Sequence, residues 1–510
     1  MSNINKNLRS LLNAISAIGL TLVNGLLGII VTRMIIHHYG SDFNGLNSTV
    51  NQITNILLVL EGGFTLASNV ALFAPMASGD YNAINSVLKV TYNKFHKIGK
   101  LFFIAGILSA VVYAFLVKTS LSKELVITIV MMAIVPATVN LYYAATYRVL
   151  LQSDQSEYII SLVGIATIGI GHLVNMLVVY FDNPMWCVRF VTMILSLINS
   201  ALIVAYVSKK YKYIDLSMID NIKKENAVII RGTNDVIAQK ITGIIYNSAP
   251  IIFLSISPSG GTVMASVYMV YNSVFLILKS LLFGVIDAPR FSIGQIIAER
   301  DSNAVWKIFS QYECIAFSAI FVAISTAYAL IMPFIVLYTD SVADVNYYRP
   351  VIANIMAATT AIEMMHIPSG HLINMSGNFK VAKNIQVCSS IVLLLAMPIG
   401  GKLYGVYGML LAVLITALLL ALLEMCFVHF YYFKLKLMEL MRLLFPLILV
   451  GILLCRFEYK ITIGINTVST FVLYAIGLSL VNLIISIFIN YIFCRKEFFL
   501  IISRMRTLFD

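Results

Sequence analysis

The chain has 510 residues, of which 60% are hydrophobic and only 11% charged, with a formal net charge of +12 and a mean hydropathy of +0.91. A soluble domain carries about a quarter charged residues, so this composition excludes a soluble globular protein. Apolar stretches of about 18 residues or more recur from end to end, the mark of membrane-spanning helices, and the short alternating segments of a β-barrel dominate nowhere.

The opening MSNINKNLRS is polar and basic and runs into an apolar stretch over about residues 11–36. That stretch is too long for a signal-peptide core and has no small-residue cleavage site, which predicts an uncleaved first span. Thirteen more spans follow, and the fourteen centre at about residues 24, 58, 108, 138, 169, 197, 241, 275, 321, 362, 392, 416, 448 and 478. An even number returns both ends to one side. Of the 35 Lys and Arg residues, 25 fall at the N-terminus, in every second loop and at the C-terminus, 7 in the opposite loops, and Arg33, Lys240 and Lys279 inside spans. This bias predicts that both termini are cytoplasmic. It also accounts for the net charge with no nucleic-acid partner. The six cysteines are scattered without a CxxC or metal-binding spacing and read as packing residues.

Between the second and third span centres, residues 73–100 read as a cytoplasmic amphipathic helix in the headgroup region. Pro136, Pro250, Pro333, Pro368, Pro398 and Pro446 fall inside spans and mark kinks or hinges. The cluster HFYYF at 429–433 reads as an interfacial aromatic belt. The most basic connector, 208–226, divides the spans six and eight. Across it the sequence echoes itself. D-Y-N-A-I-N-S-V from Asp80 meets D-S-N-A-V-W-K-I from Asp301. Asn13, Ala17 and Thr21 meet Asn234, Ala238 and Thr242 at the same offset of 221, and NINK at Asn3 meets NIKK at Asn221. The fold expected is all-α and polytopic: an N-lobe over 1–207, the linker 208–226, a C-lobe over 227–428, and two further helices with a tail over 429–510. Such internal repeats with a midplane site are a transporter pattern.

Ionisable groups lie deep in several spans: Arg33, Glu61, Asp235, Lys240, Lys279, Glu363 and Glu424, with His172 and His366. Each costs about 2.5–3.5 kcal/mol at the bilayer centre unless it faces water or a partner. Glu363 and His366, three apart, share a helix face; Asp235 and Lys240, five apart, diverge. Arg33 either faces the interior or snorkels to the outer surface. The expectation is that Arg33, Glu61, Lys240 and Lys279 converge on a hydrated chamber that accepts an anionic group. Glu61, Asp235, Glu363 and His366 are then the ion-coupling or gating groups. The alternative for Glu61 is a fixed pair with one of the cations.

The first span closes on TRMIIHHYG (32–40). GLNSTVNQITNILLVLEGGFTLASNVALFAPMASGD (45–80) and the D-x-N-A turn follow. This pattern resembles the Wzx-type flippases of bacterial polysaccharide synthesis, within the multidrug/oligosaccharidyl-lipid/polysaccharide exporter superfamily. The resemblance implies two six-helix lobes with pseudo-two-fold symmetry, a central cavity, and a location in the bacterial cytoplasmic (inner) membrane. It implies as substrate an oligosaccharide repeat unit on undecaprenyl pyrophosphate, and as partners a polysaccharide polymerase and a chain-length regulator. A pyrophosphate in a low-dielectric cavity calls for Arg or Lys, which Arg33, Lys240 and Lys279 supply. Sugars call for amides, which Asn55 and Asn234 supply together with Asn13, Asn24, Asn51, Gln52, Gln239 and Asn272. No cofactor or metal is expected; the coupling ion is a proton or sodium. No DxD, HExxH, GxSxG or Walker-type sequence is present. That disfavours the rival reading as a polytopic polymerase or ligase. A drug or cation antiporter of the same superfamily is the other alternative.

Overall fold

In hydrocarbon the backbone finds no water, so every N–H and C=O must be bonded within its own segment, and apolar runs of sufficient length become helices. A computed structural model of the protein describes residues 6–216, 233–287, 297 and 302–509, and every regular element among them is helical. The elements are α1 (Lys6–Leu57), α2 (Phe64–Ser78), α3 (Tyr81–Leu116), α4 (Lys123–Val139), α5 (Ala145–Ser153), α6 (Glu157–Tyr180), α7 (Trp186–Lys210), α8 (Thr233–Ile256) and α9 (Gly261–Ile286). They continue with α10 (Ser302–Tyr338), α11 (Pro350–Met365), α12 (Ile367–Met375), α13 (Phe379–Cys426), α14 (Leu437–Thr462), α15 (Val468–Phe493) and α16 (Arg495–Phe509). Of the sequence features above, Asn3, the linker from 217 to 226 with Asn221, and Asp301 lie outside the described residues, as do Lys223, Lys224, Arg231, Arg290 and Arg300 of the basic loops.

Twelve helices among the described residues are long and apolar enough to cross a membrane. The fourteen predicted centres fall in these twelve because two of them are double. Leu11–Glu61 turns at Gly40 (φ 86°, ψ 169°), and Phe379–Tyr432 turns at Gly405 (φ 60°, ψ −140°). At the second turn the two arms touch backbone to backbone: a Cβ on Gly400 would lie 2.4 Å from the carbonyl oxygen of Gly408. The loop expected there is reduced to a glycine, the residue that tolerates the left-handed region and offers no side chain to hold the arms apart. The protein is thus a multi-pass, all-α membrane protein.

Tyr81 and Ser302 begin helices of 36 and 37 residues at the offset of the sequence echo, and Glu157 and Phe379 begin helices within one residue of it. By density of internal contact the chain forms two compact units, 1–266 and 267–510. The core of the first gathers Phe43 and Leu46 of α1, Leu72 of α2, and Phe95 and Phe102 of α3, all fully buried. The core of the second is built on Phe309, Phe317 and Ile320 of α10 with Leu372 and Ala382.

One expectation is corrected. Residues 73–100 are not one surface helix. Residues 73–78 complete α2, Gly79 (φ 69°) ends it, and the Asp80 carboxylate caps α3 by accepting from the Ala83 N–H. Residues 81–100 are the first half of a continuous 36-residue helix that runs on into the apolar span. The six prolines fall in different settings. Pro250, Pro333, Pro398 and Pro446 sit inside helices that continue past them. Pro136 precedes a π turn over Asn140–Ala144, and Pro368 follows a break at His366.

Ion pairs within the candidate spans

The stretch Leu58–Glu61 tightens into a 3-10 turn, and Gly62 (φ 56°) and Gly63 (φ 74°) then break the second span before α2 begins. A Cβ on Gly63 would come 2.8 Å from Ile237 Cγ1, so α8 packs directly onto the break. Lys240 lies three residues beyond Ile237, on the same face of α8. Its Nζ is 3.8 Å from Glu61 Oε1, and the Thr65 hydroxyl donates to the same carboxylate oxygen. The Glu61 side chain is 16% exposed and that of Lys240 51%. The glycine pair therefore places a largely buried carboxylate at a helix discontinuity, against a half-exposed ammonium. Further back along α1, Gln52 Oε1 accepts from Asn55 Nδ2 at 3.1 Å and from the Ser248 hydroxyl of α8 at 3.0 Å. Glu61, Lys240, Asn55 and Gln52 thus share one seam between α1 and α8, all within the first unit.

Lys279 of α9 pairs with Glu363 of α11 in the second unit. Glu363 and His366, three apart, meet different partners. The helix breaks at His366, and this ring turns to Glu424, with Nδ1 2.9 Å from Oε2, while Gln386 Nε2 approaches Oε1 at 3.4 Å. A second buried pair joins His429 Nε2 to Glu313 Oε2 at 3.1 Å, with both side chains fully enclosed. The HFYYF cluster is in part interior for this reason: His429 and Phe433 are buried, while Tyr431 is exposed.

The other predicted residues divide. Arg33 is exposed on α1 and makes no ion pair among the described residues. Asn234 is exposed in the first turn of α8, where Asp235 also sits. A carboxylate there suits the positive end of the helix dipole. Asn13 is already engaged: its Oδ1 accepts from Tyr158 N at 2.7 Å and its Nδ2 donates to Gln155 O at 3.1 Å, bracing the start of α6. Asn24 Oδ1 lies 3.2 Å from His172 Nε2.

The structure adds two cations that sequence position places in loops. Arg189, 6% exposed, donates to Asn47 Oδ1 at 3.2 Å, and its Nε has no partner. Arg148 donates to Asn199 Oδ1 at 2.6 Å, and Asn199 in turn donates to the Thr167 hydroxyl at 2.9 Å. Neither guanidinium meets a carboxylate among the described residues. The only forewarning in the sequence is that each Arg lies within a turn or two of an apolar run. At the end of α7, outside the spans, Tyr211 donates to Asp154 Oδ2 at 2.6 Å, and Arg9 binds the same carboxylate at 3.3 Å. Burial, and then the bond to Asp154, push the Tyr211 hydroxyl up; burial pushes Tyr213 up to about 12.

These features define the class: a polytopic helical membrane protein with acid–base pairs held inside its candidate spans. No protein-family model matches the sequence, and no curated protein sequence matches it. Solved structures do match its fold. A lipid II flippase, MurJ, in an inward closed conformation superposes with a TM-score of 0.69 at 13% identity, over 94% of this chain and 99% of that one. An inward-facing multidrug resistance MATE family transporter of the MOP superfamily gives 0.60 at 14% identity, over 88% and 96%. The MATE multidrug transporter DinF-BH gives 0.58 at 17% identity, over 85% and 98%. At these identities the likeness defines the fold.

Proposed function

We propose that this protein flips undecaprenyl-pyrophosphate-linked oligosaccharide repeat units across the bacterial cytoplasmic membrane by ion-coupled alternating access. The observation that carries the reading is the pair of acid–base contacts within spans, Glu61–Lys240 and Lys279–Glu363. Each holds a lysine through a single carboxylate. A pyrophosphate brings more charge and more acceptor oxygens than a carboxylate, so it competes for the ammonium group of either pair through charge-assisted hydrogen bonds. Arg33, exposed and without an ion pair among the described residues, is a further donor. A displaced Glu61 or Glu363 carboxylate then takes up a proton or sodium, which links substrate occupancy to the ion gradient. Asn55 and Asn234 contribute hydrogen bonds to sugar hydroxyls. The fold shared with a lipid II flippase over nearly the full length of both chains supports a lipid-linked substrate. The basic bias of alternate loops supports cytoplasmic termini. In this setting the partners are membrane lipids, a polysaccharide polymerase and a chain-length regulator.

The fold is equally that of MATE multidrug transporters, so drug export is the second reading. A binding region for organic cations favours uncompensated carboxylates, whereas here Glu61 and Glu363 are each matched by a lysine. Complementation of a flippase-null strain, scored by surface polysaccharide and by the leaflet position of lipid-linked units, tests the proposal. The wild-type chain restores export, and Glu61→Gln abolishes it at unchanged membrane abundance. Failure of the wild-type chain to restore export, together with acquired drug resistance, would establish the exporter reading instead.

A further inference from the structure

Four glutamates among the described residues are buried: Glu313, Glu424, Glu458 and Glu497. Three of them face a basic side chain: Glu313 meets His429, Glu424 meets His366, and Glu497 meets Arg442. Glu458 of α14, 2% exposed, makes no ion pair among the described residues, and Arg456 and Lys460, two residues away on either side, are exposed. Its Oε2 is approached by Asn482 Nδ2 of α15 at 3.4 Å, and its Oε1 has no partner among the described residues. An ionised carboxylate without compensation is among the most costly groups to bury. Either a proton or a cation neutralises it.

The groups around Glu458 decide between the two. Asn482 Nδ2 also donates to Thr326 Oγ1 of α10 at 3.1 Å, and Asn490 Nδ2 of α15 donates to Ser318 Oγ of α10 at 2.6 Å. The second bond lies as far along α15 as it lies back along α10, so the two helices run antiparallel in constant register. Ser486 is midway between the two asparagines, about a turn from each, on the same face. The end of α14 is tied in by Thr462, whose hydroxyl donates to Ala329 O of α10 at 2.7 Å. At this three-helix junction Asn482 and Ser486 are fully buried, and Asn482 Oδ1 and Ser486 Oγ, like Glu458 Oε1, have no partner among the described residues. A helical serine commonly bonds the carbonyl one turn back; the Ser486 hydroxyl does not. A proton on Glu458 supplies a single donor, enough for one of the other two oxygens. A cation satisfies all three at once. Oxygen ligands select a hard ion, and among the described residues no cluster of three or more His, Cys, Asp or Glu could hold a metal ion of the other kind. One carboxylate balances one positive charge, whereas a divalent ion would leave a net charge in an apolar junction. Potassium, being larger, calls for a wider ring of oxygens.

We propose that Glu458, Asn482 and Ser486 bind a sodium ion between α10, α14 and α15, and that this ion holds α14 and α15 against α10. Glu458 supplies the charge; the amide and hydroxyl oxygens supply neutral ligands. Glu458 stands one turn before the end of α14, about 6 Å of helix rise, so the path from the loop at 463–467 is short. The ion is structural. Its binding does not depend on the transport reading, and it is separate from the proton or sodium taken up at Glu61 or Glu363, which lie on other elements.

The test is thermal unfolding of the full chain in detergent micelles, followed by the fluorescence of Trp186 and Trp306, with sodium exchanged for choline at constant ionic strength. Sodium should raise the melting temperature saturably, by about 2–4 °C, and potassium should not. Glu458→Gln keeps the shape of the side chain and removes its charge. It should fold, melt at the same temperature with and without sodium, and melt above the wild type in choline. Ser486→Ala keeps the carboxylate and should raise the half-effective sodium concentration several-fold. Glu61→Gln should keep the full response. A response that persists in Glu458→Gln, that follows Glu61 instead, or that keeps its midpoint in Ser486→Ala overturns the proposal. So does a wild-type melting temperature indifferent to sodium; its fall between about pH 5 and about pH 8 would then place a proton on Glu458.

Discussion

Removing one member of the Glu61–Lys240 pair tests whether the glycine break was built around it. At 3.8 Å, two unit charges in an effective dielectric of about 20 attract by about 4 kcal/mol. Lys240 is half exposed, so screening and the loss of carboxylate hydration reduce the net coupling to about 1–2 kcal/mol. Glu61→Gln retains an acceptor for the Thr65 hydroxyl, and Lys240→Gln retains a polar chain of moderate length, so neither adds a new clash. Each single variant should lower the unfolding free energy in mixed micelles by about 1–2 kcal/mol, and the double variant by less than their sum by about 1 kcal/mol. The assay is a double-mutant cycle of chemical unfolding, followed by tryptophan fluorescence. Effects that add to within about 0.3–0.5 kcal/mol, the range found for independent sites, would mean that the two groups do not feel one another. The seam between α1 and α8 would then have no electrostatic role.

The cluster of Tyr211, Asp154 and Arg9 responds to alkali. Tyr211 and Tyr213 are both held above their free value of about 10, so they stay protonated longer in the folded chain than in the unfolded one. Their contribution to stability is complete below about pH 10 and is lost as the pH rises above it, for Tyr213 through about 12. Tyr211→Phe should cost about 1–2 kcal/mol through its bond to the Asp154 carboxylate. It should also flatten the fall of the melting temperature above pH 10. Tyr213→Phe, whose hydroxyl is buried without a partner among the described residues, should be nearly neutral at pH 7. Arg189→Met replaces a buried guanidinium that meets no carboxylate among the described residues with an apolar chain of similar length. It should leave stability unchanged or raise it by about 1 kcal/mol while lowering transport at least tenfold, measured on the same preparation. Full transport by this variant would assign Arg189 to packing.

The sequence by itself determined the helices and their place in a membrane. Span length follows from bilayer thickness, and internal hydrogen bonding leaves no alternative to a helix, so both are written locally in runs such as 305–338 and 468–493. The cost of ionised groups in hydrocarbon singled out Glu61, Lys240, Lys279, Glu363 and His366 as residues needing a partner, but the stop at Gly79 and the cap at Asp80 were visible only in the structure. Which partner each found was decided only by the tertiary structure. Glu61 lies 179 positions from Lys240, and only the packing of Ile237 onto Gly63 brings them together. Glu363 and His366 are neighbours on a helical wheel, yet one meets Lys279 and the other Glu424. Arg148 and Arg189 looked like loop charges because burial depends on which neighbour covers a side chain. Hydrophobic burial is summed over any neighbours, and so can be read along one chain. An ion pair depends on the distance between two particular atoms, and that distance exists only once the helices have packed.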